Sequence, residues 1–171
     1  NLVKEFGSFR AVDNINLDIA KGEIFGFLGA NGAGKTTTIR MLCGLLLPSS
    51  GNIVVDELDI AKNSEKVKHK IGYMSQKFSL YPDLLAIENL EFYAGIYQVP
   101  FKKAMTNIRP VMEQFGIMEI LKSRTEALPM GYKQRLSLVA ALVHDPPLVF
   151  LDEPTSGVDP QARREFWQVI N

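Results

Sequence analysis

The stretch GANGAGKT, Gly29 to Thr36, places three glycines, a lysine and a hydroxyl at the spacing G-x-x-x-x-G-K-T. Glycines at 29, 32 and 34 allow backbone torsions that other residues resist, so successive N–H groups can converge on phosphate oxygens at the N-terminus of a helix. The loop as a whole, Gly29, Ala30, Asn31, Gly32, Ala33, Gly34, Lys35, Thr36 and Thr37, is the expected nucleotide-phosphate site. Lys35 would neutralise the β- and γ-phosphates, and the Thr36 hydroxyl would ligate Mg²⁺. The bland alternative is a glycine-rich turn that binds nothing.

A second constellation ends the apolar run LVFL, where Asp152 and Glu153 follow one another directly. An isolated Asp-Glu pair reads first as a solvated acidic turn. Downstream of a phosphate loop, and at the C-terminal end of a buried strand where doubly wound sheets place their chemistry, that default reverses. Asp152 would then hold Mg²⁺ through water, and Glu153 is the candidate general base. A guanine reader of the Asn-Lys-x-Asp type is absent from the chain, which favours adenine and makes ATP and Mg²⁺ the expected cofactors.

Positioning these residues requires strands that deliver them and helices that receive them. Alternation in Ile15, Leu17 and Ile19, the Lys21-Gly22 turn and the run EIFGFL read as two strands with a tight connection. The second strand runs into the glycines, and TTTIRMLCGLL behind them has helical length and spacing. Turn chemistry at Leu47 to Gly51 precedes a short strand, NIVVD, and a further strand, IGYM at 71 to 74, leads to Gln76. Mixed three- and four-residue spacing marks residues from about 82 to 127 as a mostly helical insert. Helical register returns from Gly131 to His144, and Asp145-Pro146-Pro147 breaks it before LVFL.

The bulk numbers narrow the function classes. Of 171 residues, 46% are hydrophobic and 22% charged, enough apolar mass for one core. Lys plus Arg and Asp plus Glu are 19 each, so no basic excess points to nucleic acid. The single cysteine, Cys43, lies in the apolar stretch IRMLCGLLL and reads as a buried small hydrophobe in a reducing setting. No apolar run approaches the roughly 18 to 20 residues that span a bilayer, so any membrane crossing is expected from another polypeptide. The chain lacks a start methionine and stops at Asn171 inside a helix beginning near Pro160, so 1–171 is read as one C-terminally truncated domain.

Taken in order, these motifs resemble the nucleotide-binding domain of ABC transporters from about Leu2 to the last residue. The resemblance implies an α/β fold, a P-loop NTPase with a mostly parallel sheet, an N-terminal antiparallel β part and a helical subdomain. Phe6-Gly7 resembles the aromatic-glycine start whose ring stacks on adenine, although spacing leaves open a core phenylalanine. Gln76 in IGYMSQ resembles the Q-loop glutamine, which implies contact with Mg²⁺ and with the attacking water.

LPMGYKQRLSLVAAL, from Leu128, occupies the position of the family signature LSGGQ, with Pro129, Met130 and Tyr132 departing from it and Gly131 and KQRL retained. In the family this segment faces the γ-phosphate held by the opposite subunit. Pro129 supplies neither hydroxyl nor N–H, which leaves the Gly131 amide and the helix dipole behind it. Such LP-x-G variants resemble the drug- and antibiotic-export branch, and equally fit drift in an adequate loop.

Ser156-Gly157-Val158-Asp159 resembles the D-loop, with a helix capped at Asp159. The family's switch histidine belongs further downstream, so His69 and His144 read as structural or surface residues. The implied assembly is two such domains, identical or different, sandwiching two ATP molecules at the cytoplasmic face of a membrane and driving a transmembrane permease. The segment Phe78 to Asp83 is the expected coupling surface, with core packing an equal alternative. The rival reading is a soluble ATP-dependent clamp of similar fold acting on ribosomes or DNA, against which stand the neutral charge and the absence of long heptads.

Overall fold

The computed structural model describes residues 1–76 and 79–170, except the side chain of Val169, in two compact units, the first ending at Lys68 and the second beginning at His69. Lys77 and Phe78, part of the expected coupling segment, lie outside the described residues.

In the first unit β1 (Leu2–Phe6) pairs antiparallel with β2 (Phe9–Ile15), Phe6 opposite Phe9, across a turn in which Gly7 takes φ 60°. Left-handed torsions match the twist of the flanking strands, and glycine adopts them without strain. This hairpin is the expected N-terminal antiparallel part. The Lys21-Gly22 turn also forms, with Glu23 N–H donating to the Ala20 carbonyl at 3.1 Å.

The strand expected over EIFGFL does not form. Residues 24–28 carry no ladder, and Leu28 is 97% exposed. Likewise β2 stops at Ile15, so Leu17 and Ile19 lie outside it. An apolar run makes a strand only when neighbours satisfy its N–H and C=O groups, and the ladders of this unit are two local hairpins, β1–β2 and Val54–Val55 with Leu58–Asp59.

Helix α1 (Lys35–Leu42) buries Thr38, Ile39 and Met41 and ends as a Schellman motif. Gly44, at φ 67°, donates to the Met41 carbonyl, and Leu45 N–H donates to that of Arg40. Cys43 is buried, as its apolar surroundings suggest. The strand NIVVD shrinks to β3 (Val54–Val55), joined to β4 (Leu58–Asp59) through Asp56 and Glu57 at φ 48° and 65°, both positive as a two-residue hairpin turn of this twist demands. Helix α2 (Ile60–His69), broken at Asn63, follows.

In the second unit β5 (Ile71–Met74) runs parallel to β6 (Leu148–Leu151), Ile71 opposite Leu148 and Met74 opposite Leu151. Between them come α3 (Ala86–Ile96), α4 (Phe101–Gln114), two short 3-10 turns at Ile117–Ile120 and Thr125–Ala127, and α5 (Met130–Ala141), which α6 (Pro160–Ile170) joins after β6. Leu90, Ile108, Met112, Phe115, Leu136, Val139 and Phe166 pack one core. Each such side chain adds about 1.5–3 kcal/mol when fully buried. Gly72 is required on β5 because a Cβ there would lie 2.5 Å from the Ala141 carbonyl oxygen.

One buried polar residue organises the turn after β5. Asn89, fully buried in α3, accepts the Tyr81 N–H at 2.8 Å and donates to the Tyr81 carbonyl at 2.9 Å and to the Thr125 hydroxyl at 3.0 Å. Its amide is thus satisfied, as a buried amide must be, while it fixes the segment around Tyr81.

His144 proves structural. Its ring stacks on Tyr97 at 3.6 Å, with His69 edge-on to the far ring system, and Nε2 donates to the Ile71 carbonyl at 3.2 Å. A carbonyl only accepts, so Nε2 carries the proton and Nδ1 is left as a buried acceptor without a partner. Burial holds the imidazole below its ordinary pKa, reinforced by His69 and opposed by the Ile71 carbonyl and Asp145. The depressed native pKa means that the unfolded chain binds this proton more readily. His144 therefore stabilises the fold fully above its unfolded value of about 6.5, and that contribution falls as pH drops below 6.5 through the lower native value. Denaturant melts between pH 8 and pH 5 should show a shallower acid decline for His144→Phe than for the parent, and equal slopes would refute the assignment.

Candidate functional site

The glycine loop lies wholly in the first unit. Gly32 and Gly34 both take φ 83°, and Gly34 is the residue immediately before α1. A Cβ on Gly34 would stand 2.4 Å from the Ala11 carbonyl oxygen and 3.3 Å from Val12 Cγ2, so the loop lies flush against β2 where only hydrogen fits. The Ala33 N–H donates back to the Ala30 carbonyl at 3.2 Å, which tightens the curve.

Helix α1 begins with no side-chain cap, so its first N–H groups face the loop with the helix dipole behind them, equivalent to roughly half a positive charge. Lys35 Nζ spans the loop, donating to the carbonyls of Gly29 at 2.8 Å and Ala30 at 2.9 Å. These are neutral acceptors, and hydrogen bonds to an anion are about twice as strong, so a phosphate outcompetes them. The cradle fits a polyphosphate: glycine torsions, an uncapped helix start and one positioned cation. Asn31 is exposed, whereas Thr36 and Thr37 are half-buried at the start of α1.

Phe6 ends β1 with 50% of its surface exposed, and Lys4 Nζ lies 5.2 Å from its ring centroid. The core alternative for this ring is therefore wrong. An exposed aromatic at a strand end can stack on a planar base.

The carboxylates and Gln76 lie in the second unit. The β5–β6 ladder continues one residue further, Asp152 N–H donating to the Met74 carbonyl at 2.9 Å. Asp152 is only 3% exposed, and Tyr73 Oη approaches its Oδ2 at 3.5 Å. A carboxylate buried this far at a strand end needs compensating donors or a cation.

Glu153 takes φ 51°, a left-handed torsion that costs a non-glycine residue of order 1–3 kcal/mol and persists only when surroundings hold it. Its Oε2 accepts from Gln76 Nε2 at 2.7 Å. The parallel pairing of β5 and β6 brings these two residues together from 77 positions apart, because both follow strand ends in register. Gln76 thereby presents its other amide atom, Oε1, away from Glu153.

Behind Glu153 the chain turns tightly, Ser156 N–H donating to the Glu153 carbonyl at 3.0 Å. Asp159 then caps α6, its Oδ1 accepting the N–H groups of Gln161 and Ala162 at 3.0 Å each. The Ala162 bond above all holds this carboxyl below its ordinary pKa; desolvation opposes it, and the bonds of Gln161 and Asp159 itself and the charge of Arg135 add to the lowering. Gly131 lies in the first turn of α5, whose N-cap residue, Pro129, supplies no side-chain cap. A Cβ on Gly131 would touch Ala162 Cβ at 3.4 Å, an ordinary contact, so sterics within the unit do not demand glycine there.

Two residues were not anticipated. Gln134 is 6% exposed with its amide aimed at the Ser156 carbonyl, and its sequence signals are its place in the retained KQRL stretch and a polar residue on the buried face of an apolar helix. Asn89 carries the second of these signals in α3.

A glycine loop entering an uncapped helix and a buried carboxylate ending a parallel strand define a P-loop NTPase. Residues 12–156 match the family model described as ABC transporter. The chain is 49% identical over 170 residues to the probable multidrug ABC transporter ATP-binding protein YbhF of Escherichia coli (strain K12), covering 99% of this chain and 29% of that protein. It is 42% identical over 170 residues to the linearmycin resistance ATP-binding protein LnrL of Bacillus subtilis (strain 168), covering 99% of this chain and 55% of that protein. The dimeric post-hydrolysis structure of the ATP-binding cassette MJ0796, bound to ADP and Pi, superposes with a TM-score of 0.84 at 25% identity, covering 99% of this chain and 79% of that one. The chain belongs to the ABC transporter family, and it spans 29% and 55% of the two relatives' own lengths.

Gly32 and Gly34 share the same torsion but differ in room, since a Cβ on Gly32 meets nothing within 4 Å. Gly32→Ala should cost roughly 1–2 kcal/mol of stability from backbone strain. Gly34→Ala should cost clearly more, because its methyl overlaps the β2 backbone, and equal costs in denaturant melts would show that the close approach is not required.

Proposed function

We propose that this chain is the ATP-binding, ATP-hydrolysing part of a transporter that exports a drug-like or antibiotic compound. The observation that carries the reading is the Gly29–Thr37 loop, flush against β2 at Gly34 and spanned by Lys35. Backbone N–H groups of the loop and of the α1 start bind the β- and γ-phosphates, Lys35 neutralises them, and Phe6 stacks on the adenine. The export direction draws on the LP-x-G signature at 128–131 and on the multidrug and antibiotic-resistance names of the relatives.

Glu153 is the general base that takes the proton of the attacking water, and the Gln76 amide N–H orients its carboxylate. Metal holding is assigned residue by residue: the hydroxyl of Thr36, the carboxylate of Asp152 through water, and Oε1 of Gln76. Mg²⁺, when bound, neutralises charge on the terminal phosphates. Gly131, at the start of α5, offers its N–H and the helix dipole to the γ-phosphate held by a second ATP-binding domain, identical or different.

None of the described residues forms a helix long and apolar enough to cross a membrane, so the transmembrane path comes from a permease subunit or domain. The protein then works at the cytoplasmic face of the membrane, peripheral through that partner. Tyr81, within the expected Phe78 to Asp83 coupling segment, and Phe92, edge-to-face with it at 4.8 Å, are both exposed and are the proposed docking residues for it.

In the full-length protein purified with its permease, Glu153→Gln should keep nucleotide affinity within about twofold and lower turnover by about 10²–10⁴. Lys35→Ala should instead lose nucleotide binding, read by a fluorescent ATP analogue. Turnover surviving in Glu153→Gln, or binding surviving in Lys35→Ala, would overturn the respective role.

A further inference from the structure

We propose that Gln134 is a positioning residue for Glu153, and that through it helix α5 ties the hydrolytic carboxylate of the chain to the Gly131 end of the same helix. The inference rests on the reading of Glu153 as the base.

Glu153 is held at φ 51°, which glutamate does not choose by itself, so something must fix the turn that follows. That turn is closed by Ser156 N–H on the Glu153 carbonyl at 3.0 Å and by Val158 N–H on the Thr155 carbonyl at 3.3 Å. Its own outward carbonyl, that of Ser156, accepts Nε2 of Gln134 at 3.5 Å. A glutamine only 6% exposed in a helix otherwise buried with Leu136, Val139 and Ala140 is costly unless its amide has a task. Here the task is to hold the far side of the Glu153 turn, while Gln76 holds the carboxylate itself.

The same face of α5 is anchored further along the segment. Arg135 forms an ion pair with Glu165 of α6, donates to the Phe115 carbonyl at 3.2 Å and lies 5.5 Å from the Tyr132 ring centroid. Glu165 also accepts from Gln161 at 3.2 Å, and Gly131 lies against Ala162. Residues 131, 134 and 135 therefore grip residues 156, 162 and 165 as one block. Any shift of the Gly131 end is passed to the Glu153 turn, so the loop that serves the partner domain's nucleotide reports to the base that serves the chain's own.

Gln134→Met keeps the buried volume and removes the amide, and the readout is ATP turnover by the full-length protein with its permease. A displacement on the order of 1 Å at a catalytic group can cost about a hundredfold, so kcat should fall by about ten- to a hundredfold with KM and nucleotide affinity within about twofold. The melting temperature should stay within a few degrees, and Gln134→Glu, which keeps the shape but turns a donor into an acceptor facing a carbonyl, should be at least as slow. In a Glu153→Gln background the Gln134→Met change should add little, because both act on one group. Unchanged kcat, a matching rise in KM, or the same fold-loss in both backgrounds overturns the positioning role while leaving Glu153 as base. Full turnover in Glu153→Gln alone would overturn the base and this proposal with it.

Discussion

The second unit depends on one ladder, the parallel register of Ile71–Met74 with Leu148–Leu151. A parallel pair cannot be closed by a tight turn, so the chain must travel away and return, and here the return route is a helical excursion of more than seventy residues. The ladder fixes where Gln76 and Glu153 emerge. A slip of one residue would turn every side chain of β6 to the opposite face and separate the glutamine from the carboxylate. Gly72 protects that register, since any side chain there would push the end of α5 off the strand.

Around this ladder, buried polar groups rather than apolar ones decide where the loops lie. Asn89 fixes the segment around Tyr81, Gln134 reaches the Ser156 turn, and Arg135 joins α5 to α6. Apolar burial supplies more free energy, but it is non-directional and would tolerate small slides of the helices. Amides and guanidinium groups accept only a narrow geometry, and leaving one unpaired in the interior costs about 1–3 kcal/mol. The second unit therefore gains its stability from Leu90, Met112, Phe115 and Leu136, and the placement of its loops from a few hydrogen bonds.

In the first unit the constraint is steric. The glycine loop can press against β2 because residue 34 has no side chain, and this brings the start of α1 down behind the loop. Lys35 closes the loop on its own carbonyls, so the backbone is held in a curve before any anion arrives. Preorganisation of this kind lowers the ordering cost of binding.

Much of this was legible in the residues. The glycine spacing fixed the loop and the helix behind it, because torsional freedom and N–H convergence are local properties. IGYM and LVFL read as strands, and Asp159-Pro160 as a helix start, because period, turn chemistry and capping act within a few residues. EIFGFL misled, since an apolar run announces burial and not the ladder partner that burial requires. Nor could sequence show that Phe6 lies exposed, that Glu153 takes a left-handed torsion, that Gln76 bonds to it, or that Gln134 reaches the Ser156 carbonyl. Those facts arise from contacts between residues up to 77 positions apart, and their geometry exists only once the chain between them has packed.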